Sequence, residues 1–283
     1  MSVALSRPVV RRRSGRRLPA SFVVGVVLLG VLALAAVLAP VLVSSPNQLH
    51  LGSALQGPSA AHPFGTDEYG RDVLGRVLVA TGTDLEIGLF CVLPALFIGT
   101  VLGTLAGYFG GWLDMALMRI VDVLVAFPFM VLVIAIVAAL GVGITNMFIA
   151  VAAVAWVSYA RLARSEVQVI RQLDYIRAAR VLGFSHRRIL SRHVLPNVVV
   201  QPLVYCTSDF VGYILLCSAL GYLGLGVQPP NAEWGTMIAD GKNFLAQAPW
   251  ISIFPGCAIV VVGIACILVG NSLGDVLRPE AKK

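Results

Sequence analysis

The sequence predicts an all-α membrane protein with six transmembrane helices, on three observations. The 283 residues are 58% hydrophobic and 12% charged, with a mean hydropathy of +0.87; a soluble domain carries about twice that share of charge. Six apolar stretches are each long enough to cross the hydrocarbon core of a bilayer as a helix. The basic residues fall in the segments between those stretches.

The stretches cover residues 18–43, 87–109, 115–140, 144–160, 198–223 and 251–273. None alternates as a barrel strand would, and a chain in lipid must satisfy its backbone hydrogen bonds internally, so all six read as helices. Arg11, Arg12, Arg13, Arg16 and Arg17 precede the first run as in a secretory signal, but the run at 18–43 is too long for a signal core and reads as an uncleaved first helix. The expected organisation is a basic cytoplasmic amino terminus at 1–17, a first helix at 18–43, an external loop at 44–86, a five-helix core at 87–273 with a cytoplasmic loop at 161–197, and a cytoplasmic tail at 274–283. No room is left for a separate soluble catalytic domain.

Orientation follows from Lys and Arg, which accumulate on the cytoplasmic side. With the amino terminus inside, eighteen of the 21 lie there, and only Arg71, Arg76 and Lys242 lie outside. The net charge of +7 is thus a topology signal rather than a nucleic-acid patch. Cys91, Cys206, Cys217, Cys257 and Cys266 all fall in apolar stretches, with no CxxC pair or His at metal-ligand spacing, and read as small buried residues.

Residues 62–72 of the outer segment are rich in Gly and Pro and predict a fixed, turn-rich plug over the bundle. Residues 231–247 place Trp234, Met237, Ile238, Gly241, Phe244 and Leu245 at helical spacing, with Asn231 as the expected cap of an amphipathic helix along the interface. Within that stretch, residues 235–243 resemble a phosphate loop only superficially: five residues, not four, separate the glycines, and Asn243 stands where Ser or Thr would be needed. Gly99, Gly103 and Gly107, four apart, predict close helix packing. Pro94, Pro128, Pro202 and Pro255 lie in spans, as static kinks or hinges. Arg119 and Asp122, three apart, predict an intrahelical ion pair.

Asp209 lies ~16 Å into the fifth stretch, near the midplane of a ~30 Å core. An intramembrane carboxylate suggests either a pathway residue or a protonated acid bonded to a neighbouring helix. In the basic loop, Arg161, Arg164, Gln168 and Arg171 share one face of a helix that continues the fourth span. Asp174 is a candidate cap for a short helix through Leu182, Gly183 fits its left-handed terminus, and Ser185 can cap a second helix ended by Pro196. This is more order than a linker needs, and the small Ala178 and Ala179 would let a partner approach closely. A membrane-embedded enzyme would need a nucleophile or metal set in the bilayer, and His50, His62, His186 and His193 all lie outside the apolar cores.

Ile176-Arg177-Ala178-Ala179, Gly183 and Val194-Leu195-Pro196-Asn197 resemble the EAA loop of ABC-importer permeases. The likeness continues in HPFGTDEYGRDVL from His62, AGYFGGWLD from Ala106, AFPF from Ala126, GYLGLGVQPP from Gly221 and SLGDVLRP from Ser272, a set similar to the C-type permease of dipeptide and oligopeptide importers. Arg177 stands where the family usually has Glu, and Cys217 where relatives often have an acid. The resemblance implies a type-1 ABC importer permease (MetI-like) fold in a bacterial plasma membrane, and a pathway shared with a B-type permease. It also implies one or two cytosolic ATPases that bind the ATP and Mg, an extracytoplasmic solute-binding protein, and no cofactor or metal in this chain. The expected coupling loop is Arg177, Ala178, Ala179, Gly183, Leu195 and Pro196. The expected solute is a peptide, with nickel, glutathione or another small solute as alternatives; a self-contained ion-coupled transporter using Asp209 is the remaining rival.

Overall fold

The computed structural model describes residues 19–43 and 45–277. The arginines of the amino-terminal segment, together with Arg278, Lys282 and Lys283, lie outside the described residues. Within them the structure is helical: α1 (Ala20–Leu42), α2 (Val73–Phe109), α3 (Gly111–Val125), α4 (Phe129–Leu140), α5 (Ile144–Ile170), α6 (Asp174–Val181), α7 (His186–Ile189), α8 (Leu195–Val198), α9 (Val200–Tyr222), α10 (Trp234–Gly241) and α11 (Trp250–Leu277). The described residues contain no β-strand, only an isolated bridge between Thr66 and Asp72. Five helices are long and apolar enough to span a bilayer, and α3 with α4 make a sixth if the bent pair is one span.

Two boundaries differ from expectation. The second helix begins at Val73, not at 87. Asp72 caps it, its carboxylate accepting from the Gly75 amide at 2.7 Å while Oδ1 lies 3.0 Å from His62 Nδ1. At ~1.5 Å per residue α2 is roughly 55 Å long, well beyond a ~30 Å hydrocarbon layer. Hydropathy reads only the part in lipid and misses the polar turns that carry Arg76, Thr81, Asp84 and Glu86. The stretch at 115–140 is broken into α3 and α4, which meet at 87°. Pro128 is the N-cap of α4; it lacks an N–H and disfavours helical geometry at Phe127, so the break falls there.

The glycine prediction holds. α2 and α5 cross backbone to backbone: a Cβ on Gly99 would overlap the Trp156 carbonyl and one on Gly103 the Ala160 carbonyl. Around this seam Ile87, Cys91, Ala95, Val151, Ala155 and Tyr159 form the central core, joined by Tyr213 and Cys217 of α9. Cys257, expected inside, is exposed.

The turn-rich plug expected at 62–72 is fixed in place, and the connection from 45 to 61 packs with it. Gly65 and Gly70 take positive φ (74° and 75°), Trp250 Nε1 donates to the Thr66 carbonyl at 3.0 Å, and Phe64 stacks on Phe254 at 3.8 Å. α10 is capped by Glu233, not Asn231; the Glu233 carboxylate accepts from the Gly235 and Thr236 amides and from Ser218 Oγ. Its apolar face is not laid on the interface: Trp234 and Met237 are buried in a second cluster with Val73, Ile214 and Ile251. Gly235 lies against the backbone of Ser218 in a helix, which removes the phosphate-loop geometry altogether.

Candidate functional site

The basic loop sits at the carboxyl-terminal end of α2. α5 runs unbroken to Ile170, and its basic face folds back onto the protein: Arg164 forms a two-pronged ion pair with Asp114 of α3, one arm at 2.7 Å, and Arg171 Nη1 donates to the Gly107 carbonyl at 3.0 Å. The predicted Arg119–Asp122 pair is absent; no ion pair within 4 Å joins them, and the acid used in α3 is Asp114.

Three residues after α5 the chain turns into α6. Asp174 is its first residue rather than its cap, and Leu173 occupies the cap position without a side-chain bond. The end of α6 follows the sequence closely. Gly183 has φ of 76°, its N–H donates to the Arg180 carbonyl at 3.0 Å, and the Phe184 N–H reaches back to the Ala179 carbonyl at 3.1 Å. This paired closure consumes carbonyls that would otherwise be orphaned and aims the chain into α7. Ser185 accepts from the Arg188 amide at 3.4 Å and caps α7 as predicted. Five residues of π-helix, Leu190–Val194, then lead into α8. Pro196 in the first turn of α8 has no N–H to offer the preceding turn, which accounts for the widened helix before it. Leu195 and Pro196 are exposed at this junction, from which the chain continues into α9.

The loop has its own core of Ile176, Ala179, Ile189, Val194 and Val198, packed on Tyr108, Ala163, Val167 and Ile170. Tyr108 hydroxyl meets His186 Nδ1 at 2.9 Å, tying α2 to α7. One site expectation is corrected here: Ala179 points inward, 5% exposed, and cannot itself form a docking surface. Ile176 and Ala179, three apart, set the inward face of α6. The outward face presents Arg177 and Ala178, with Val181 at 88% and Leu182 at 72% exposure beside Gly183. Val181 and Leu182 were missed in the sequence, although the phase of the helix set by Ile176 points to them.

Asp209 is half-buried in the middle of α9. Its Oδ2 accepts from the Tyr213 hydroxyl at 3.0 Å, one turn along the same helix. Tyr205 and Tyr159 also face this carboxyl, their rings edge to face at 5.3 Å. The Tyr159 hydroxyl from α5 is buried without a partner in hydrogen-bond geometry. Beside Tyr205, a cleft of about 540 Å³ opens between α3 and α5, lined by Met118, Ser158, Arg161 and Arg164. The structure thus brings Asp209 together with three tyrosines and sets it far along α9 from the loop residues.

No group of three or more His, Cys, Asp or Glu suited to a metal occurs among the described residues. The buried acids have structural partners: Glu233 caps α10, Asp84 accepts from the Trp234 amide at 3.0 Å, and Asp67 accepts from Arg71 Nε at 2.6 Å.

Comparison with known proteins fits a helical permease. Residues 99–283 match the family model described as binding-protein-dependent transport system inner membrane component. The chain is 42% identical over 261 residues, 92% of its length and 86% of the relative's, to a dipeptide transport system permease protein of Alkalihalophilus pseudofirmus. It is 43% identical over 227 residues, 80% of its length and 75% of the relative's, to a glutathione transport system permease protein of Pectobacterium atrosepticum. To a probable D,D-dipeptide transport system permease protein of Escherichia coli it is 41% identical over 236 residues, 83% and 79% of the two lengths. These matches, over a chain whose described residues are helical, place it in one family: it is a binding-protein-dependent transport system inner membrane component.

Proposed function

We propose that this chain is a pathway-forming permease subunit of an ATP-driven importer for di- or oligopeptides, working with a second, B-type permease, one or two cytosolic ATPases and an extracytoplasmic solute-binding protein. Both termini and the basic loop face the cytosol, which agrees with the distribution of Lys and Arg. ATP and Mg are bound by the ATPase subunits, and this subunit performs no covalent chemistry. The peptide reading rests on the dipeptide permeases at about 40% identity.

The observation that carries the coupling role is the outward face of α6. An ordered loop with its own buried core exposes Ala178, Val181 and Leu182, and Arg177, Arg180, Arg187 and Arg188 of the same loop are exposed as well. An apolar centre with a basic rim suits a groove with acidic edges on the ATPase. Closure of the ATPase dimer would move this loop as a body, because Tyr108, Arg171 and the loop core bind it to α2 and α5. The motion reaches Asp209 through the π-helix and α8, which lead directly into α9; Asp209 lines or adjoins the pathway in this reading. The test is uptake of a labelled dipeptide into proteoliposomes holding the full assembly, with glutathione as competitor. Uptake that needs ATP and stops when the ATPase site is mutated supports the proposal. Uptake that survives that mutation and follows a proton gradient would point to an ion-coupled transporter.

A further inference from the structure

Four polar side chains from two helices meet within the bundle, and the importer reading uses only Asp209 among them. Tyr205 and Tyr213 flank Asp209 on α9, four residues away on either side, and Tyr159 comes from α5. Residues four apart share a helix face, so the three α9 side chains form one stripe beside Tyr159. The Tyr213 hydroxyl donates to Asp209 Oδ2, and the rings of Tyr159 and Tyr205 meet at 72°. Tyr159 and Tyr213 are both buried, so the carboxylate stands against a fixed aromatic corner.

Packing alone leaves two features of this cluster without a reason. A carboxylate in a membrane-spanning helix is costly, and Asp209 has no Lys, Arg or His of the described residues within 4 Å. The Tyr159 hydroxyl is buried without a hydrogen-bond partner, where such groups are nearly always paired. Both suit one visitor, a cation that brings its own donors. A primary ammonium carries a charge for Asp209, N–H groups to share between the carboxylate and the Tyr159 oxygen, and an affinity for aromatic faces. A bound metal ion would need more oxygen ligands than one carboxylate offers.

Access is by the cleft of about 540 Å³, which the exposed Tyr205 lines together with Ser158 and Arg161. Arg164 in the same lining is already matched by Asp114. Arg161 is exposed, joins no ion pair among the described residues, and lies one turn from Ser158 on α5. A ligand with its ammonium at Asp209 can therefore extend along α5 towards an available guanidinium, which suits a molecule with a carboxylate at its other end.

We propose that Asp209, Tyr159, Tyr205 and Tyr213 form the pathway's seat for the primary ammonium of the solute, the amino terminus of a peptide whose carboxyl end points along the cleft to Arg161. The proposal rests on the importer reading. Every unblocked peptide carries this ammonium whatever its side chains, so a seat that reads it serves di- and oligopeptides alike.

The experiment compares binding of free alanyl-alanine and N-acetyl-alanyl-alanine to the complete permease–ATPase assembly in nanodiscs, by saturation-transfer NMR. The solute-binding protein is left out so that its own selectivity does not enter. The wild type is expected to hold the free-amine peptide about tenfold more tightly than the acetylated one. Asp209→Asn keeps the shape and should reduce that preference to within about twofold, while Asp209→Glu should retain most of it. An undiminished preference in Asp209→Asn would overturn the proposal. If that variant does not assemble, the decision passes to Tyr159→Phe, which removes only an unpartnered hydroxyl and should narrow the preference about threefold; no narrowing there has the same consequence. Equal binding of the two peptides by the wild type, or binding of neither, would also overturn it. Uptake of alanyl-alanine into proteoliposomes separates the two levels of the argument. Uptake that continues with the ATPase site mutated sinks the importer reading, whereas ATP-dependent uptake with the amine preference unchanged in the variants sinks the seat alone.

Discussion

The α2–α5 seam and the α3–α4 joint are both written in helix-weakening residues, glycines in one and a proline in the other, and they fold in opposite ways. At the seam, Gly99, Gly103 and Gly107 let two long helices meet at their backbones, and the flanking residues are almost fully buried. At the joint, Pro128 breaks a span at 87°, and α3 and α4 together bury only Val121, Val133 and Val137. Glycine strengthens a membrane fold where a second helix lies against it; proline bends it where the chain has few neighbours. The result is a close-packed pillar beside an arm whose apolar surface remains exposed.

The comparison breaks most readily at the pillar. Gly103→Leu would drive a side chain into the Ala160 backbone, which cannot move aside, and should cost several kcal/mol. The variant should fail to accumulate as a monodisperse species after detergent extraction. The same contrast recurs on a small scale in α6. Ala179→Leu overfills the loop core and should lower stability by about 1–3 kcal/mol, whereas Ala178→Leu, on the exposed face, should be within about 0.5 kcal/mol of wild type in thermal unfolding.

A smaller effect separates the outer end by pH. Burial pushes the Glu233 carboxyl above its ordinary value of 4.5, against the opposing pull of the Gly235 and Thr236 amides and Ser218, and Asp84 faces it from α2. An acid whose folded pKa is raised stabilises fully below its unfolded pKa and loses that contribution as pH rises through the folded value. Glu233→Gln keeps an acceptor for the cap but cannot ionise. The difference in unfolding temperature should therefore shift in favour of the variant as pH is raised from about 4.5. A constant difference across that range would show that Glu233 has the same pKa in the folded and unfolded protein, against the raised value that burial implies. The smallest effect belongs to the arm: Val131→Ala on exposed α4 should change the stability of the isolated subunit by no more than about 0.5 kcal/mol.

The sequence exposes what depends on local chemistry. The turn at Gly183, the cap at Ser185, the continuation of α5 past residue 160 and the glycine seam each follow from a residue whose backbone or side chain permits little else. What it hides depends on partners distant in the chain. The start of α2 at Val73 needs the plug that holds Asp72; the inward turn of Ala179 needs Tyr108 and Ala163 beneath it; Asp114 rather than Asp122 is paired because Arg164 arrives from α5. Asp209 is legible as unusual, but the tyrosines that surround it are visible only when α5 and α9 are brought together.

The central claim is that the outward face of α6 carries the contact with the ATPase. Leu182→Glu replaces an exposed apolar side chain, leaves the loop core untouched, and places a negative charge against a groove expected to have acidic edges. The decisive measurement is retention of the ATPase subunits by the purified permease pair, read together with ATP hydrolysis stimulated by solute-loaded binding protein. The account predicts that the variant pair folds and still docks the binding protein, while ATPase affinity falls about tenfold or more and stimulation is lost. Normal retention with normal stimulation would contradict it and move the coupling site away from α6.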